Sequence, residues 1–448
     1  LSQFGNKLRV TLVYPCIRNF GGFNTLGKHP SGVYVNHGLA SLSAVLKARG
    51  HTVTMIDLRE CCGWDDVFTK MKLSKADIFA VHMSTLDFHE ASKIASFAKK
   101  LEVPSVAGGP HPSICPEHVA ENTCFDFVFV GEGEKTFPEI LEEKDFAHAH
   151  KMIKGENPDL NSLPLEDREI FNMDKILSTR HPFYPRPFLN VISGRGCPYS
   201  CGFCKPGEDM IFGKFRMRSV ENLMQEILHL RDRYSYNMLM IDDDSFTLNP
   251  RYIEDFCSRY EEDVKRPFTC QTRADFVVKH PDLVERLRDV GLWMFVIGIE
   301  SFNQRLLDFM NKGTTVEQNV EAMKICRELG IKVWANVMYG LPTETNEEAL
   351  ETINMVKELK PFHHSPSFYT PIQGTYMYEY CRKHDLLLSE DPAFLGARNP
   401  TEPKIVGPDY QFLNKKLQRL RIESVSWLPL RQRISKVARW GLRKAGLN

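Results

Sequence analysis

The chain has 448 residues, 42% apolar and 25% charged, a globular composition on a length too great for one ordinary core. Its 57 basic residues balance 57 acidic ones, so no global field draws it toward nucleic acid, and no nucleic-acid partner is expected. No apolar stretch nears the roughly 20 residues that span a bilayer, the opening residues lack the apolar core of a secretion signal, and scattered cysteines suit a reducing compartment. A cytoplasmic protein of two domains and a tail is therefore expected.

Residues 7–145 alternate short apolar runs, at 8–14, 53–57, 78–82, 105–108 and 125–130, with helical patterns. Between the first two runs Leu39, Leu42, Val45 and Leu46 recur at helical spacing before Gly50. Five strands separated by helices predict a doubly wound, parallel, Rossmann-like α/β sheet that binds ligands beyond its strands' carboxyl ends. The loops at those ends contain Tyr14-Pro15-Cys16, Met83-Ser84-Thr85, Gly108-Gly109-Pro110 and Gly131-Glu132-Gly133-Glu134. Glycines there let backbone amides approach a large ligand closely. A flavodoxin-like domain holding flavin, or nothing, fits the same pattern.

Residues 146–187 read as a charged, proline-containing linker whose Pro185 and Pro187 stiffen the approach to the next strand. The second domain, 188–385, opens with a strand-like run and then places Cys197, Cys201 and Cys204 within eight residues. Three thiolates on a four-iron cube leave one iron free to bind something other than protein. Zinc would want a fourth ligand, and a ferredoxin-type cluster a nearby fourth cysteine, whereas the next one is Cys257.

Further runs at 238–242, 268–273, 294–300, 333–339 and 365–369 bring the strands to about six, predicting a partial (β/α)6 TIM barrel with active groups at strand ends. Asp242, Asp243 and Asp244 follow the second strand, as ligand contacts or as turn caps. Arg273 offers a planar fork for a carboxylate, or a salt bridge to Asp275.

The spacing Cys-x3-Cys-x2-Cys, with Phe203 just before the last thiolate, resembles the signature loop of the radical S-adenosylmethionine (radical SAM) enzymes. The ordered loops of the first domain resemble the cobalamin-binding domain of the class B group of that family. The resemblance implies a [4Fe-4S] cluster on the three cysteines, whose open iron chelates SAM, and an electron donor such as flavodoxin or ferredoxin. It further implies SAM contacts at Tyr199, Phe203, Asp242, Arg273 and Glu300, with Phe203 packing the adenine. Cobalamin contacts are implied at Ser84, Thr85, Gly108, Gly109, Gly131, Glu132 and Gly133.

The Asp-x-His-x-x-Gly loop that many cobalamin domains carry after strand one is missing here. Asp87-Phe88-His89 follows the third strand instead and ends in Ser92, so His89 is read as an ordinary helix-start residue. The cobalamin is accordingly expected base-off.

The reaction the resemblance implies is methylation of an unactivated carbon. A first SAM methylates the cobalamin, a second yields the 5′-deoxyadenosyl radical, and the substrate radical collects the methyl group. Non-methylating members form rings or rearrange tetrapyrroles or lipids, and the motifs do not separate the two outcomes; a cluster-bearing redox or sensor protein is a reading of another class. Candidate substrates are a peptide or protein side chain or a small molecule.

In the last stretch, 386–448, Lys415, Lys416, Arg419, Arg421, Arg431, Arg433, Lys436, Arg439, Arg443 and Lys444 interleave with apolar residues. A basic amphipathic helix is predicted, to pack on the barrel, to dock an acidic partner or to rest on an anionic membrane.

Overall fold

The first sheet of the computed structural model runs in the order β2-β1-β3-β4-β5-β6. Its strands are β1 (Arg9–Tyr14), β2 (Thr52–Asp57), β3 (Ile78–His82), β4 (Ser105–Gly108), β5 (Phe127–Val130) and β6 (Met152–Lys154), all paired in parallel. The structure describes residues 7–17, 21–29, 34–143, 151–179, 181, 184–205, 207–396 and 402–427. Chain direction across the sheet reverses between β1 and β3, so the crevice beyond their carboxyl ends is the topological switch point of a doubly wound fold.

The sequence predicts five strands here, and the structure adds a sixth from the stretch read as linker. Gly155 N–H donates to the Val130 carbonyl (2.8 Å) and Val128 N–H to that of Lys151 (2.7 Å). Only Ile153 of β6 is buried, so three residues show no usable hydrophobic period.

The helix His37–Ala48 links β1 to β2. Asn36 caps it by accepting from the Leu39 N–H, and Leu39, Ala40, Val45 and Leu46 face the core. At its far end Gly50 holds φ +87°, a left-handed turn that glycine makes without strain.

The second sheet is a six-stranded parallel open barrel in the order β14-β13-β12-β11-β10-β7. Its strands are β7 (Phe188–Val191), β10 (Met238–Ile241), β11 (Phe268–Thr272), β12 (Leu292–Glu300), β13 (Lys332–Tyr339) and β14 (His363–Phe368). Between β7 and β10 a short antiparallel pair, β8 (Gly194–Arg195) with β9 (Arg216–Met217), brackets the cysteine loop.

One apolar cluster runs through both domains, joining Leu12, Leu39 and Val106 of the first to Leu189, Ile241 and Phe295 of the second. Of the nine cysteines outside the triplet, seven are buried and act as small apolar residues, while Cys62 and Cys124 are exposed.

The helix Tyr410–Glu423 lies on the barrel, with Leu413 and Leu420 buried and Glu423 paired to Lys357 at 2.9 Å. The basic positions from Arg431 onward lie outside the described residues. Among the described residues no helix is long and apolar enough to cross a membrane.

Candidate functional site

The cysteine loop leaves β8 through Gly196, at φ +80°. Its far half is a tight turn, in which Cys204 and Lys205 N–H both donate to the Cys201 carbonyl (3.0 and 2.8 Å). Neighbouring segments clamp this turn. Gly202 N–H donates to the Met310 carbonyl (2.7 Å), Met377 N–H donates to Gly202 (2.9 Å), and the Asn311 amide donates to both oxygens of Ser200 (2.8 and 3.0 Å). A side chain at Gly202 would meet Tyr376 at 3.1 Å and the Met310 carbonyl at 3.2 Å, so the absence of one lets these segments approach closely. Cys201 is buried and Cys197 and Cys204 half-buried.

Around the loop four of the five expected SAM contacts converge. The Arg273 guanidinium lies 3.7 Å from the centre of the Tyr199 ring and points an N–H at Cys201 Sγ (3.9 Å). The same side chain pairs with Asp275 (2.9 Å) and donates to the Lys312 carbonyl (2.9 Å), so the salt-bridge reading of Arg273 is realised beside the thiolates. Glu300 ends β12 at φ +62° and pairs with Lys312 Nζ at 3.1 Å, and that ammonium stands 5.7 Å from the centre of the Phe203 ring. A side chain at Gly298 would meet Glu300 Oε1 at 2.5 Å and Lys312 Nζ at 2.9 Å. A methyl group there would make the ends of both flexible side chains shift. Lys312 was missed by sequence reasoning because it lies in a loop outside any motif.

Asp242, the fifth expected contact, is committed elsewhere. Its Oδ2 accepts from the Asn190 amide (2.9 Å) and faces His37 Nε2 (3.3 Å), while His37 Nδ1 meets Glu166 at 2.9 Å. Burial alone would lower the His37 pKa, but Glu166 and the hydrogen bonds to both carboxylates raise it to about 9. Glu166 falls to about 2 against its own burial because His37 and Arg168 face it. His37 thus bridges the start of a first-domain helix, the linker and the end of β10. Asp243 instead holds the exit of β7, accepting from Ser193 N–H (2.6 Å) and from its hydroxyl, and burial lifts its carboxyl to about 6.

Beyond the carboxyl ends of β3, β4 and β5 lies a cavity of about 330 Å³. Gly108, Gly109, Gly131, Glu132 and Gly133 line it, as expected of the cobalamin loops, together with Asn36, His37, His82, Phe129 and Phe137. Ile192, Arg195, Ile211 and Phe212 line it from the second domain. Gly109 holds φ +110°, and a side chain there would press on the Met83 carbonyl (3.1 Å) and the His82 ring (3.2 Å). Bare backbone on several sides gives the room that a flat macrocycle requires, so these residues fit cobalamin.

Ser84 and Thr85 do not line the cavity. The Ser84 hydroxyl donates to Asp87 (2.6 Å) and that of Thr85 bonds His111 Nδ1 (3.1 Å), since the short helical turn Thr85–Asp87 carries them past the strand end. His89 is exposed in the first turn of the helix Phe88–Lys100.

Ion pairs join the two regions. Arg195, two positions before Cys197, reaches Glu132 and Glu134 at 2.7 Å each, and Arg216 also pairs with Glu132. Burial would raise the Glu134 carboxyl, but Arg195 holds it below the usual range.

Comparison with known proteins agrees with this arrangement. The family model "Radical SAM superfamily" matches residues 191–356 and that of the "B12 binding domain" residues 24–141. An uncharacterized methyltransferase of Pyrococcus horikoshii is 31% identical over 79% of this chain and 79% of its own. The anaerobic magnesium-protoporphyrin IX monomethyl ester cyclase of Rubrivivax gelatinosus is 26% identical over 81% of this chain and 68% of its own. The structure of the cobalamin-dependent S-adenosylmethionine radical enzyme OxsB, with aqua-cobalamin and SAM bound, superposes with a TM-score of 0.71 at 19% identity, covering 92% of this chain and 66% of that one. The chain belongs to the cobalamin-binding radical SAM family of methyltransferases and related enzymes, whose cofactors are a [4Fe-4S] cluster, SAM and cobalamin.

Proposed function

We propose that the protein is a C-methyltransferase that methylates an unactivated carbon of a small-molecule substrate. When bound, the cluster and SAM supply a 5′-deoxyadenosyl radical and the cobalamin supplies the methyl group. The observation that carries this reading is that one rigid ionic joint, Arg195 with Glu132 and Glu134, holds the three-thiolate loop beside the glycine-lined cavity. A substrate carbon held between the two meets hydrogen abstraction and methyl delivery without leaving, so positioning is the protein's main contribution.

In this reading Cys197, Cys201 and Cys204 hold three irons. The Arg273 N–H on Cys201 Sγ draws charge from that thiolate. Tyr199 and Phe203 exclude water from the cleavable bond, and Glu300 with Lys312 receives the polar groups of SAM. Gly108, Gly109, Gly131 and Gly133 admit the corrin, with Glu132 fixing the turn between the last two. Asp242 acts through His37 in holding the domains together. A one-electron donor of the flavodoxin or ferredoxin type would supply the electron that the bound cluster needs.

The test is anaerobic incubation of reconstituted enzyme with reductant, cell extract and methyl-labelled SAM. The expected result is a labelled small-molecule product accompanied by both 5′-deoxyadenosine and S-adenosylhomocysteine. The cyclase relative favours a second reading, oxidative ring formation on a tetrapyrrole. Deoxyadenosine together with an unlabelled, ring-closed tetrapyrrole product and no S-adenosylhomocysteine would establish that reading over the first.

A further inference from the structure

The inner face of the barrel carries polar side chains that neither the cluster loop nor the glycine-lined cavity uses. From Phe295 along β12, and from Lys332 to Val337 in β13, buried and half-buried residues alternate. Phe295, Ile297, Val333, Ala335 and Val337 belong to the core shared with the surrounding helices, so Val296, Gly298, Trp334 and Asn336 face the lumen. Gln271 takes the same half-buried position between buried Cys270 and Thr272, and Ser365 is the register partner of Asn336 on β14. Residues with helices behind them keep accessible surface only if the lumen is open space rather than packed core.

Register puts three of these groups just inside the cluster loop. Gln271 lies two positions before Arg273, the residue that reaches Cys201, and Asn336 pairs with Gly298, beside which Glu300 meets Lys312. The floor below them is aromatic, because the Tyr184 ring stacks nearly parallel on Trp334 with centroids 5.9 Å apart. Trp334 also orients Asn336. An indole N–H can only donate, and it donates to Asn336 Oδ1 at 3.2 Å, so the amide NH2 is the end left over. Among the described residues that NH2, the Gln271 amide and the Ser365 hydroxyl have no hydrogen-bond partner, and none of them is sealed from solvent.

The charges around this face are already committed. Arg273 pairs with Asp275, Lys312 with Glu300, and Asp242 with His37. Lys332 lies at the opposite, amino end of β13, 4.5 Å from the centre of the Trp293 ring. Among the described residues of the inner face, a phosphate or carboxylate would therefore meet no available cation at the carboxyl end, and it would face Asp242 and Glu300. Desolvating such an anion without a partner is costly, whereas hydroxyl and carbonyl groups can exchange water for Gln271, Asn336 and Ser365 at little cost.

We propose that the substrate is an uncharged small molecule bearing hydroxyl or carbonyl oxygens, seated in the lumen on Gln271, Asn336 and Ser365 above the Trp334 ring. The inference rests on the reading above, in which a substrate carbon is held between the cluster loop and the cavity.

The test uses reconstituted holoenzyme, reductant, methyl-labelled SAM and cell extract split by passage through a cation and an anion exchanger at about pH 7. The expected result is that the unretained fraction raises 5′-deoxyadenosine formation above the rate without extract, and that the retained fractions do not. In Asn336→Leu the amount of that fraction giving half-maximal stimulation should rise roughly tenfold, the loss of one or two hydrogen bonds, with the KM for SAM and the iron content as in wild type. Ser365→Ala, which removes one oxygen from a half-buried position and does not challenge folding, should shift it in the same direction. Stimulation confined to a retained fraction overturns the proposal, as does stimulation by no fraction or wild-type half-saturation in both variants. Stimulation by the unretained fraction with no labelled product leaves the substrate class standing and overturns methylation alone.

Discussion

The cysteine loop and the glycine-lined cavity are built to hold their ligands by opposite means. The loop offers three side chains within eight residues and spends its neighbours, Met310, Asn311 and Met377, on clamping one turn. The cavity is made by withholding side chains, at Gly108, Gly109, Gly131 and Gly133, from the ends of two successive strands, β4 and β5. The first site should therefore fail when atoms are removed and the second when atoms are added.

The largest expected effect comes from removal. Cys201→Ala takes away the buried thiolate, and SAM cleavage should fall on the order of a thousandfold, about 4 kcal/mol. Iron analysis should show loss of cluster while hydroxocobalamin uptake persists. Loss of both together would break the contrast, because it would make the sites one folding unit.

Addition comes next. Gly109→Val forces a branched side chain into left-handed backbone and against the Met83 carbonyl, at an expected cost of about 2–3 kcal/mol. Cobalamin affinity should drop roughly 50-fold, read by equilibrium dialysis, with deoxyadenosine formation from SAM retained.

A subtler removal sharpens the comparison. Lys312→Met leaves Glu300 largely buried without its cation. SAM affinity should weaken roughly tenfold, a change of about 1.4 kcal/mol, with cluster content unchanged. Gly298→Ala should reproduce that phenotype by adding a methyl group where the pair lies.

The smallest effect concerns the joint between the two regions. The His37 pKa is raised in the folded protein to about 9, above its ordinary value. Its stabilising contribution is then fully present below about pH 6.5 and is lost as the pH climbs through about 9. Unfolding free energies from denaturant titrations at pH 6.5 and pH 9.5 should differ by on the order of 1–2 kcal/mol more in wild type than in His37→Gln. An equal decline in both proteins would mean that the bridge to Glu166 and Asp242 contributes nothing to stability.

The same opposition explains what could be read from the residues alone. Cys197, Cys201 and Cys204 announce a site because one short loop supplies all three thiolates, and Tyr199 and Phe203 come with them. The glycines of the cavity were legible as loops at strand ends, since alternating apolar runs mark those ends. Ser84 and Thr85 share that position but turn away, because the helical turn Thr85–Asp87 gives their hydroxyls to Asp87 and His111. Asp242 was placed on the right strand end, yet its partner His37 comes from 205 positions away, and no local pattern reports such a pairing. Lys312 stayed hidden because it lies in a loop outside any motif, and β6 because a three-residue edge strand has no period to detect.

Arg195 carries a mechanical consequence. It stands two residues ahead of the first cysteine of the triplet and grips both acids of the turn that closes the cavity, so the strand that leads into the cysteine loop and the rim of the cavity move together. The span between the two sites is accordingly set by two guanidiniums sharing one acid, Arg195 and Arg216 on Glu132, and substrates of differing bulk must be accommodated by the walls around that gap.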